Sequence, residues 1–202
     1  MPEQCSRRRA SGPDALLDGH HVAYIGDDPY SRDACQPAGK TPLTFRLRTP
    51  RSDEAESLTE LCLRSKAVWG YDEDFMGACR QELTLANPTM ESSYLKVAEI
   101  GGHLAGVAQV TVTGEIADLD KLFVEPTRLR SGVGRALFEW AMTAARDGGA
   151  ASIVIAADPN ASGFYRRMGA VDDGTAVSGS IPGRLLPRLI LRLSQTPAQP
   201  GL

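Results

Sequence analysis

Cysteine and histidine are scarce in this sequence, which has four cysteines and three histidines among 202 residues. No two cysteines form a CxxC pair or stand at a metal-site spacing, and Cys62 and Cys79 fall within helical patterns as small apolar side chains. His20 and His21 lie in a stretch without periodicity, and His103 follows a glycine pair at a predicted hairpin turn. A Ser–His or Cys–His nucleophilic site needs a histidine in a structured pocket. The sequence therefore argues against that chemistry and against a bound metal.

The sequence also lacks any apolar run near the ~20 residues that span a bilayer. The arginines at 7–9 are not followed by an apolar segment, so neither a secretory nor a twin-arginine signal is predicted. The formal net charge of −3 opposes a nucleic-acid-binding protein, because such proteins usually present a basic face. We expect a cytoplasmic protein with no membrane and no nucleic-acid partner.

Periodicity divides the chain into three parts. Residues 1–42 are rich in Arg, Asp, Gly, Pro and Ser without a sustained period, which predicts a flexible or weakly structured N-terminal extension; alternatively, translation starts downstream of it. Residues 43–195 have the length of one domain, and residues 196–202 form a short tail.

The predicted domain contains helices and strands in the order β, α, α, β, β, β, α, β, α, β, β. This order predicts an α/β or α+β fold in which a sheet carries helices on both faces. Ser52 or Asp53 is expected to cap the first helix, Asp72 the second, and Asp158 the last, with Pro159 in its first turn. The predicted strands are 43–48, 94–100, 104–112, 115–124, 152–156, 170–178 and 188–193, and the predicted helices are 54–63, 72–85, 132–147 and 159–168.

Two glycines, Gly132 and Gly134, stand between a predicted strand and the longest predicted helix. The N-terminus of a helix has amides without intrahelical acceptors and a partial positive charge, so such a turn can hold a pyrophosphate. Glycine lets the backbone approach the anion, and Arg128, Arg130 and Arg135 add positive charge. The turn lacks the Lys-Ser/Thr of a Walker A loop, and Leu137 stands where a dinucleotide fingerprint needs its third glycine. A plain tight turn is the alternative.

These residues resemble the GNAT superfamily of acetyl-CoA-dependent acetyltransferases. That family carries a Q/R-x-x-G-x-G/A loop after its fourth strand, preceded by Val-x-Pro, and here Val124-Glu125-Pro126 precedes the loop 129–134. Leu129 stands where the family usually has Gln or Arg. Because the family contacts the pyrophosphate largely through backbone amides, this departure weakens the match only a little. Residues 158–170 resemble the family's N-x-x-A-x-x-F-Y-x-x-x-G-F segment, with Asp in place of the first Asn. The Trp-Gly-Tyr at 69–71 and the Ser-Gly-Ser-Ile-Pro-Gly-Arg at 178–184 are similar to a bacterial subgroup of the family.

The resemblance implies a GNAT-like, mostly antiparallel mixed sheet and direct acetyl transfer from acetyl-CoA, a cosubstrate, to an amine without a metal. The end of the fourth strand is expected to hydrogen-bond the pantetheine arm as an added strand would. The implied cofactor-binding residues are Phe123, Val124, Leu129, Arg130, Ser131, Gly132, Val133, Gly134, Arg135 and Asn160.

Tyr165 matches the position of the family's general acid, and a core aromatic is the alternative interpretation. The attacking amine must also lose a proton, and Glu115, Asp118 and Asp120 lie on or beside the fourth strand, where the family often keeps a base. Strand alternation places Asp118 and Asp120 on one face, with Leu119 and Lys121 on the other. We favour Asp120 as the base; a solvated surface carboxylate or a chain of waters is the alternative.

The acceptor pocket is expected to use Trp69, Tyr71 and Arg184, with Arg184 pairing with a carboxylate on the acceptor. The alternatives are aromatics that cap the core and an arginine in a solvated loop. We expect the acceptor to be a small-molecule amine. Acetylation of a protein or peptide amine, and a non-catalytic acyl-CoA-binding module, remain open, and late edge strands would allow a homodimer.

Overall fold

The structure, a computed structural model, describes residues 44–86 and 93–194. The predicted N-terminal extension and C-terminal tail lie outside these residues. Two 3-10 turns, Ser52–Glu54 and Pro126–Arg128, accompany the helices and strands. The strands are β1 (Arg46–Arg48), β2 (Tyr94–Ile100), β3 (His103–Thr113), β4 (Ile116–Val124), β5 (Ser152–Ala156), β6 (Val171–Val177) and β7 (Leu185–Arg192), and the helices are α1 (Ala55–Ala67), α2 (Glu73–Leu83), α3 (Val133–Asp147) and α4 (Ser162–Arg167).

The strands form one seven-stranded sheet in the order β1-β2-β3-β4-β5-β7-β6. All neighbours pair antiparallel except β4 and β5, which are parallel. Helix α3 packs its buried Leu137, Phe138 and Ala141 on one face of the sheet, while α1 and α2 cover the other. Successive strand residues point to opposite faces, so Val107 contacts the α1–α2 cluster and Ala108 the α3 side. The predicted mixed, mostly antiparallel sheet with helices on both faces is confirmed.

Strands β4 and β5 pair over a short distance and then separate. Their register covers only residues 116–118 of β4 and 152–154 of β5, whereas β4 continues to Val124. Beyond Asp118, the edge of β4 that faces β5 has no strand partner among the described residues. The sheet therefore opens toward the end of β4.

A β-bulge changes the predicted alternation along β4. Gln109 of β3 pairs with Lys121, but the next residue of β3 pairs with Leu119, so Asp120 is the extra residue. An extra residue reverses the phase of the strand beyond it. As a result Lys121, opposite Gln109, lies on the same face as Asp118, opposite Thr111, and the prediction that it shares the face of Leu119 is wrong.

Two of the three predicted helix caps are wrong. Helix α1 starts at Ala55 without a side-chain cap, and the turn before it is closed by the Glu54 carboxylate, which accepts from the Arg51 amide at 2.7 Å. Asp158 caps no helix, because α4 begins only at Ser162. The Asp72 prediction is confirmed, since its Oδ1 accepts from the Phe75 amide at 2.8 Å.

An ion network joins the edge strand β1 to the turn before α1. The Arg48 side chain, 16% exposed, donates from Nε to Glu99 Oε2 at 2.7 Å and from Nη2 to Glu54 Oε1 at 2.6 Å. Arg46 also pairs with Glu99, at 2.7 Å. These arginines hold the pKa values of Glu54 and Glu99 below the usual glutamate range.

Replacing Arg48 by methionine is expected to lower the melting temperature at neutral pH by several degrees, because two little-exposed carboxylates lose their main partner. Both folded-state pKa values are depressed, so this stabilisation is present at neutral pH and is lost as the pH falls through those values. Calorimetric melting at pH 7 and below about pH 4 measures the difference. Arg80→Met, which breaks an exposed pair with Glu60, is the control. Equal melting temperatures for Arg48→Met and the parent at pH 7 would contradict the prediction.

Candidate active site

The loop between β4 and α3 contains two residues with a left-handed backbone. Arg130 and Gly132 have φ values of 62° and 85°, in the left-handed region, and Gly132 is the N-cap of α3 without a side-chain hydrogen bond. Such alternation in the handedness of the backbone points neighbouring amides toward one centre. The first α3 hydrogen bond runs from the Ala136 amide to the Gly132 carbonyl at 3.0 Å, so the amides of Val133 and Gly134 have no acceptor within the helix. We call residues 129–135 the cradle.

The two glycines of the cradle have different surroundings. A Cβ on Gly132 would meet no atom within 4 Å, so the backbone there borders open space. A Cβ on Gly134 would lie 3.4 Å from Cγ2 of Val124, so Gly134 allows α3 to pack closely against the end of β4. The first turn of α3 contains no acidic residue. The cradle therefore fits an anionic group such as the pyrophosphate of coenzyme A.

Of the other predicted cradle residues, Leu129 and Ser131 anchor the turn, whereas the two arginines are exposed. Leu129 is half-buried against the apolar cluster that contains Val133 and Leu137, so an apolar anchor replaces the family's polar residue. Ser131 is half-buried, and its hydroxyl donates to the Arg128 carbonyl at 2.6 Å. Arg130 is exposed. Arg135 is also exposed and pairs with Glu139 at 2.8 Å.

The end of β4 borders the space between the separated strands. The amide of Val124 donates to the hydroxyl of Ser65 on α1 at 3.3 Å instead of pairing with a strand. Phe123 packs against the apolar cluster of α1 and α2. The structure thus brings α1 to the strand end predicted to hold the pantetheine arm. Ser65 could not be predicted from the sequence, because nothing local to an amphipathic helix marks a contact with a strand 59 residues later.

Tyr165 is buried, with 7% of its surface exposed. Its ring packs edge-to-face on Phe138 and Phe164, with centroids 5.6 and 5.2 Å away. Burial, and secondly the charge of Asp158, raise its pKa well above the ordinary tyrosine value. The phenol therefore keeps its proton at neutral pH, as a proton donor must.

Five side chains from four separate segments meet near the end of β5. Lys66 comes from the end of α1, Tyr71 and Phe75 from the start of the α2 region, Asp158 from the residues after β5, and Arg184 from the loop before β7. The Tyr71 hydroxyl lies 2.9 Å from Asp158 Oδ2 and accepts from Arg184 Nη2 at 2.7 Å. Lys66 and Arg184 each lie 3.5 Å from Asp158 Oδ2. We call this group the Asp158 cluster.

Aromatic rings support the two cations of the Asp158 cluster. Tyr71 and Phe75 stack with centroids 4.0 Å apart. The Arg184 guanidinium lies 4.7 Å from the Phe75 centroid, and Lys66 Nζ lies 5.7 Å from it. Cations over aromatic faces are stabilised by the ring quadrupole. Desolvation, followed by contact with Asp158, raises the pKa of the Tyr71 phenol, so it stays neutral.

A groove of about 750 Å³ lies under the end of α2. None of the five side chains of the Asp158 cluster lines it, but Ala156 and Leu186, two residues from Asp158 and Arg184, do. Thr111, Asp118, Asp120 and Lys121 line its floor, and Glu82 and Arg188 line its sides. Thr111 donates to Asp120 Oδ2 at 2.7 Å. Asp120 is exposed to the groove. The protein atoms around the groove nevertheless desolvate its carboxylate partly, and this desolvation raises its pKa.

The structure brings together some of the predicted site residues and leaves others apart. Tyr71 and Arg184 meet in the Asp158 cluster, whereas Trp69 is half-buried at the end of α1 and has no aromatic contact with the cluster among the described residues. Asn160 is exposed, and its amide donates to Asp158 Oδ1 at 3.0 Å. Lys66, Phe75 and Asp158 were missed as site residues.

Two further observations concern residues 44–86 and 93–194. No helix in these ranges is long and apolar enough to cross a membrane. In the same ranges, no group of three or more His, Cys, Asp or Glu side chains is placed to hold a metal ion. The thiols of Cys62 and Cys79 are buried, as predicted, and burial raises the pKa of Cys62 to about 12.

Solved structures share this fold. A GCN5-related N-acetyltransferase from Rhodopseudomonas palustris superposes with a TM-score of 0.63 and 20% identity, over 77% of this chain and 99% of that one. The PaiA N-acetyltransferase of Thermoplasma acidophilum, solved with coenzyme A, has a TM-score of 0.60 and 16% identity, over 74% and 99%. The ribosomal-protein-S18-alanine N-acetyltransferase of Escherichia coli has a TM-score of 0.56 and 17% identity, over 79% and 100%.

Sequence comparison assigns the family. No curated protein sequence matches the chain significantly. The family model of the acetyltransferase (GNAT) domain, however, matches residues 59–178. This match spans more than half of the chain and includes β4, the cradle and Tyr165. The chain therefore belongs to the GNAT family of acyl-CoA-dependent N-acetyltransferases.

Proposed function

We propose that the protein transfers an acetyl group from acetyl-CoA to the amine of a small molecule. The separation of β4 and β5 is the observation that carries this proposal. Strand β4 runs from the groove, at residues 118–121, to the cradle, and its edge toward β5 is unpaired beyond residue 118. An extended arm can lie along this edge with its anionic end in the cradle and its acyl end near the groove.

Two side-chain contacts join the loop before β7 to the α2 region next to the groove, which supports a small acceptor. The loop before β7 bonds to α2 through Ser180 and Glu82, and to Tyr71, two residues before α2, through Arg184. These two contacts close the space between α2 and the β6–β7 hairpin. A folded protein chain would have to displace both contacts, whereas a small amine fits within the groove volume of about 750 Å³.

In the proposed reaction, acetyl-CoA supplies an activated acyl group that the acceptor amine attacks. The cradle holds the pyrophosphate through the amides of Val133 and Gly134, and the end of β4 aligns the pantetheine arm. Tyr165 gives a proton to the departing sulfur. The phenol enters the reaction protonated, as this role requires.

Asp120 is proposed to receive the proton of the acceptor amine. The bulge turns its carboxylate into the groove, and Thr111 holds it there at 2.7 Å. Its raised pKa makes it a better proton acceptor than an ordinary aspartate. Asp118 lies on the same groove wall but pairs in register with Thr111, without the bulge.

Replacing Asp120 by asparagine is expected to lower kcat by about 10²-fold or more, because general base catalysis is lost. Asp120 acts when deprotonated, so kcat of the parent should fall as the pH drops through its raised pKa, and this acidic limb should vanish in the variant. Rates of coenzyme A release across the pH range measure both effects. Asp118→Asn is the matched control. An unchanged acidic limb in Asp120→Asn would assign the base elsewhere.

The function itself is tested by calorimetric titration with acetyl-CoA and by a coenzyme A release screen over small amines and peptide amines. Micromolar binding and turnover with small amines would support the proposal. Turnover confined to peptides would favour a protein acetyltransferase, and tight binding with no release for any amine would favour a binding module. Absence of binding would refute acetyl transfer.

A further inference from the structure

The Asp158 cluster carries one more positive charge than negative. Lys66 and Arg184 are both cations, and Asp158 is the single carboxylate within ion-pair distance of either among the described residues. The three side chains are only 15%, 18% and 11% exposed. A charge that is largely removed from water and incompletely paired is costly, so such an arrangement calls for a further anion.

The hydrogen bonds of Arg184 are a second, independent indication that the cluster binds an anion. Its Nη2 donates to Tyr71 and approaches Asp158, but Nε and Nη1 make no hydrogen bond with any described residue. A guanidinium offers five donors in a fixed planar fork, and these are normally satisfied when the group is little exposed. The guanidinium carbon lies 4.7 Å from the Phe75 centroid, and this contact helps to hold the planar fork and its open donors in place.

Taking the proposed function as given, we infer that the Asp158 cluster is the receptor for a carboxylate on the acceptor, so that the substrates are amino acids or related amines that also carry a carboxylate. One excess positive charge matches a singly charged carboxylate better than a doubly charged phosphate. The planar donors of Arg184 suit the two oxygens of a carboxylate. Ala156 and Leu186 line the groove that contains Asp120, and they lie two residues from Asp158 and Arg184, so an acceptor held by the cluster can extend toward that groove.

Matched acceptor pairs test this inference. Amino acids and the corresponding amino acid amides share the amine and side chain but differ in the carboxylate. We expect kcat/KM of the parent to favour the acid over the amide, and Arg184→Gln to reduce this ratio by roughly 10- to 100-fold, the effect of losing one or two charge-assisted hydrogen bonds. Arg184→Lys should keep part of the preference, because it keeps the charge. Arg80→Gln, which removes an exposed arginine from α2, should keep the full preference.

The outcomes separate this inference from the proposed function. Equal turnover of acids and amides by the parent, or a preserved ratio in Arg184→Gln, would overturn the carboxylate receptor and leave acetyl transfer standing. If no amine is turned over, the proposed function fails, and binding decides the inference. In that case N-acetylated amino acids and their amides are titrated by NMR. Tighter binding of the acids to the parent, lost in Arg184→Gln, would support the receptor; equal binding would refute it.

Discussion

Replacing Tyr165 by phenylalanine is expected to lower kcat by about 10²- to 10⁴-fold while leaving the Kd for acetyl-CoA near that of the parent. The substitution removes only the hydroxyl and keeps the ring between Phe138 and Phe164, so packing and the melting temperature should change little. Coenzyme A release and calorimetric titration measure the two quantities separately.

Tyr94→Phe is the matched control, since it removes the hydroxyl of a more exposed tyrosine, 42% exposed, on β2. The raised pKa of Tyr165 adds a second test. The parent should show no loss of kcat attributable to this phenol as the pH approaches 10, the ordinary tyrosine value, because the group is still protonated there. Unchanged kcat in Tyr165→Phe would leave Tyr165 as a core aromatic alone.

Replacing Gly134 by valine is expected to raise the Kd for acetyl-CoA by about 100-fold or more, the effect of losing one or two hydrogen bonds to a charged group. The first added carbon already lies 3.4 Å from Val124, so the branched side chain must displace the start of α3 from the end of β4. The amides of Val133 and Gly134 would then no longer point to one centre.

The control for this variant is Gly77→Val, because Gly77 also lies in a helix but an added Cβ there meets no atom within 4 Å. Calorimetric titration gives the Kd, and thermal melting reports whether each variant is folded. If Gly134→Val does not fold, Gly134→Ala, with a single added carbon, should show a smaller loss of affinity. A folded Gly134→Val that binds like the parent would place the pyrophosphate outside the cradle.

Features set by neighbouring residues were predictable from the sequence. Strand β2 has the predicted bounds, because Gly101 and Gly102 mark its end and both take positive φ values. Helix α3 was predicted to within one residue, since Gly132 precedes it and Gly148-Gly149 follows it. The cradle could be predicted for the same reason: its amides belong to consecutive residues.

Features set by pairing between distant segments were not predictable. The bulge at Asp120 depends on the register with β3, which no local pattern of β4 reveals. Asp158 has the residue type and position of a helix cap, and its side chain accepts from the nearby Asn160 amide, but it also contacts Tyr71 and Arg184, residues far from it in sequence. Arg184 and Tyr71 were both predicted to serve the acceptor, whereas the carboxylate that joins them was assigned a local role.

The strand order determines when each strand can join the sheet during synthesis. Strand β7 lies between β5 and β6, although it follows both in the chain. Strand β6 therefore has no place in the sheet until β7 has been made, and Arg184, just before β7, completes the Asp158 cluster only at the same stage. The proposed carboxylate receptor is therefore complete only after β7 has been synthesised, whereas all residues of the cradle precede β5 in the chain.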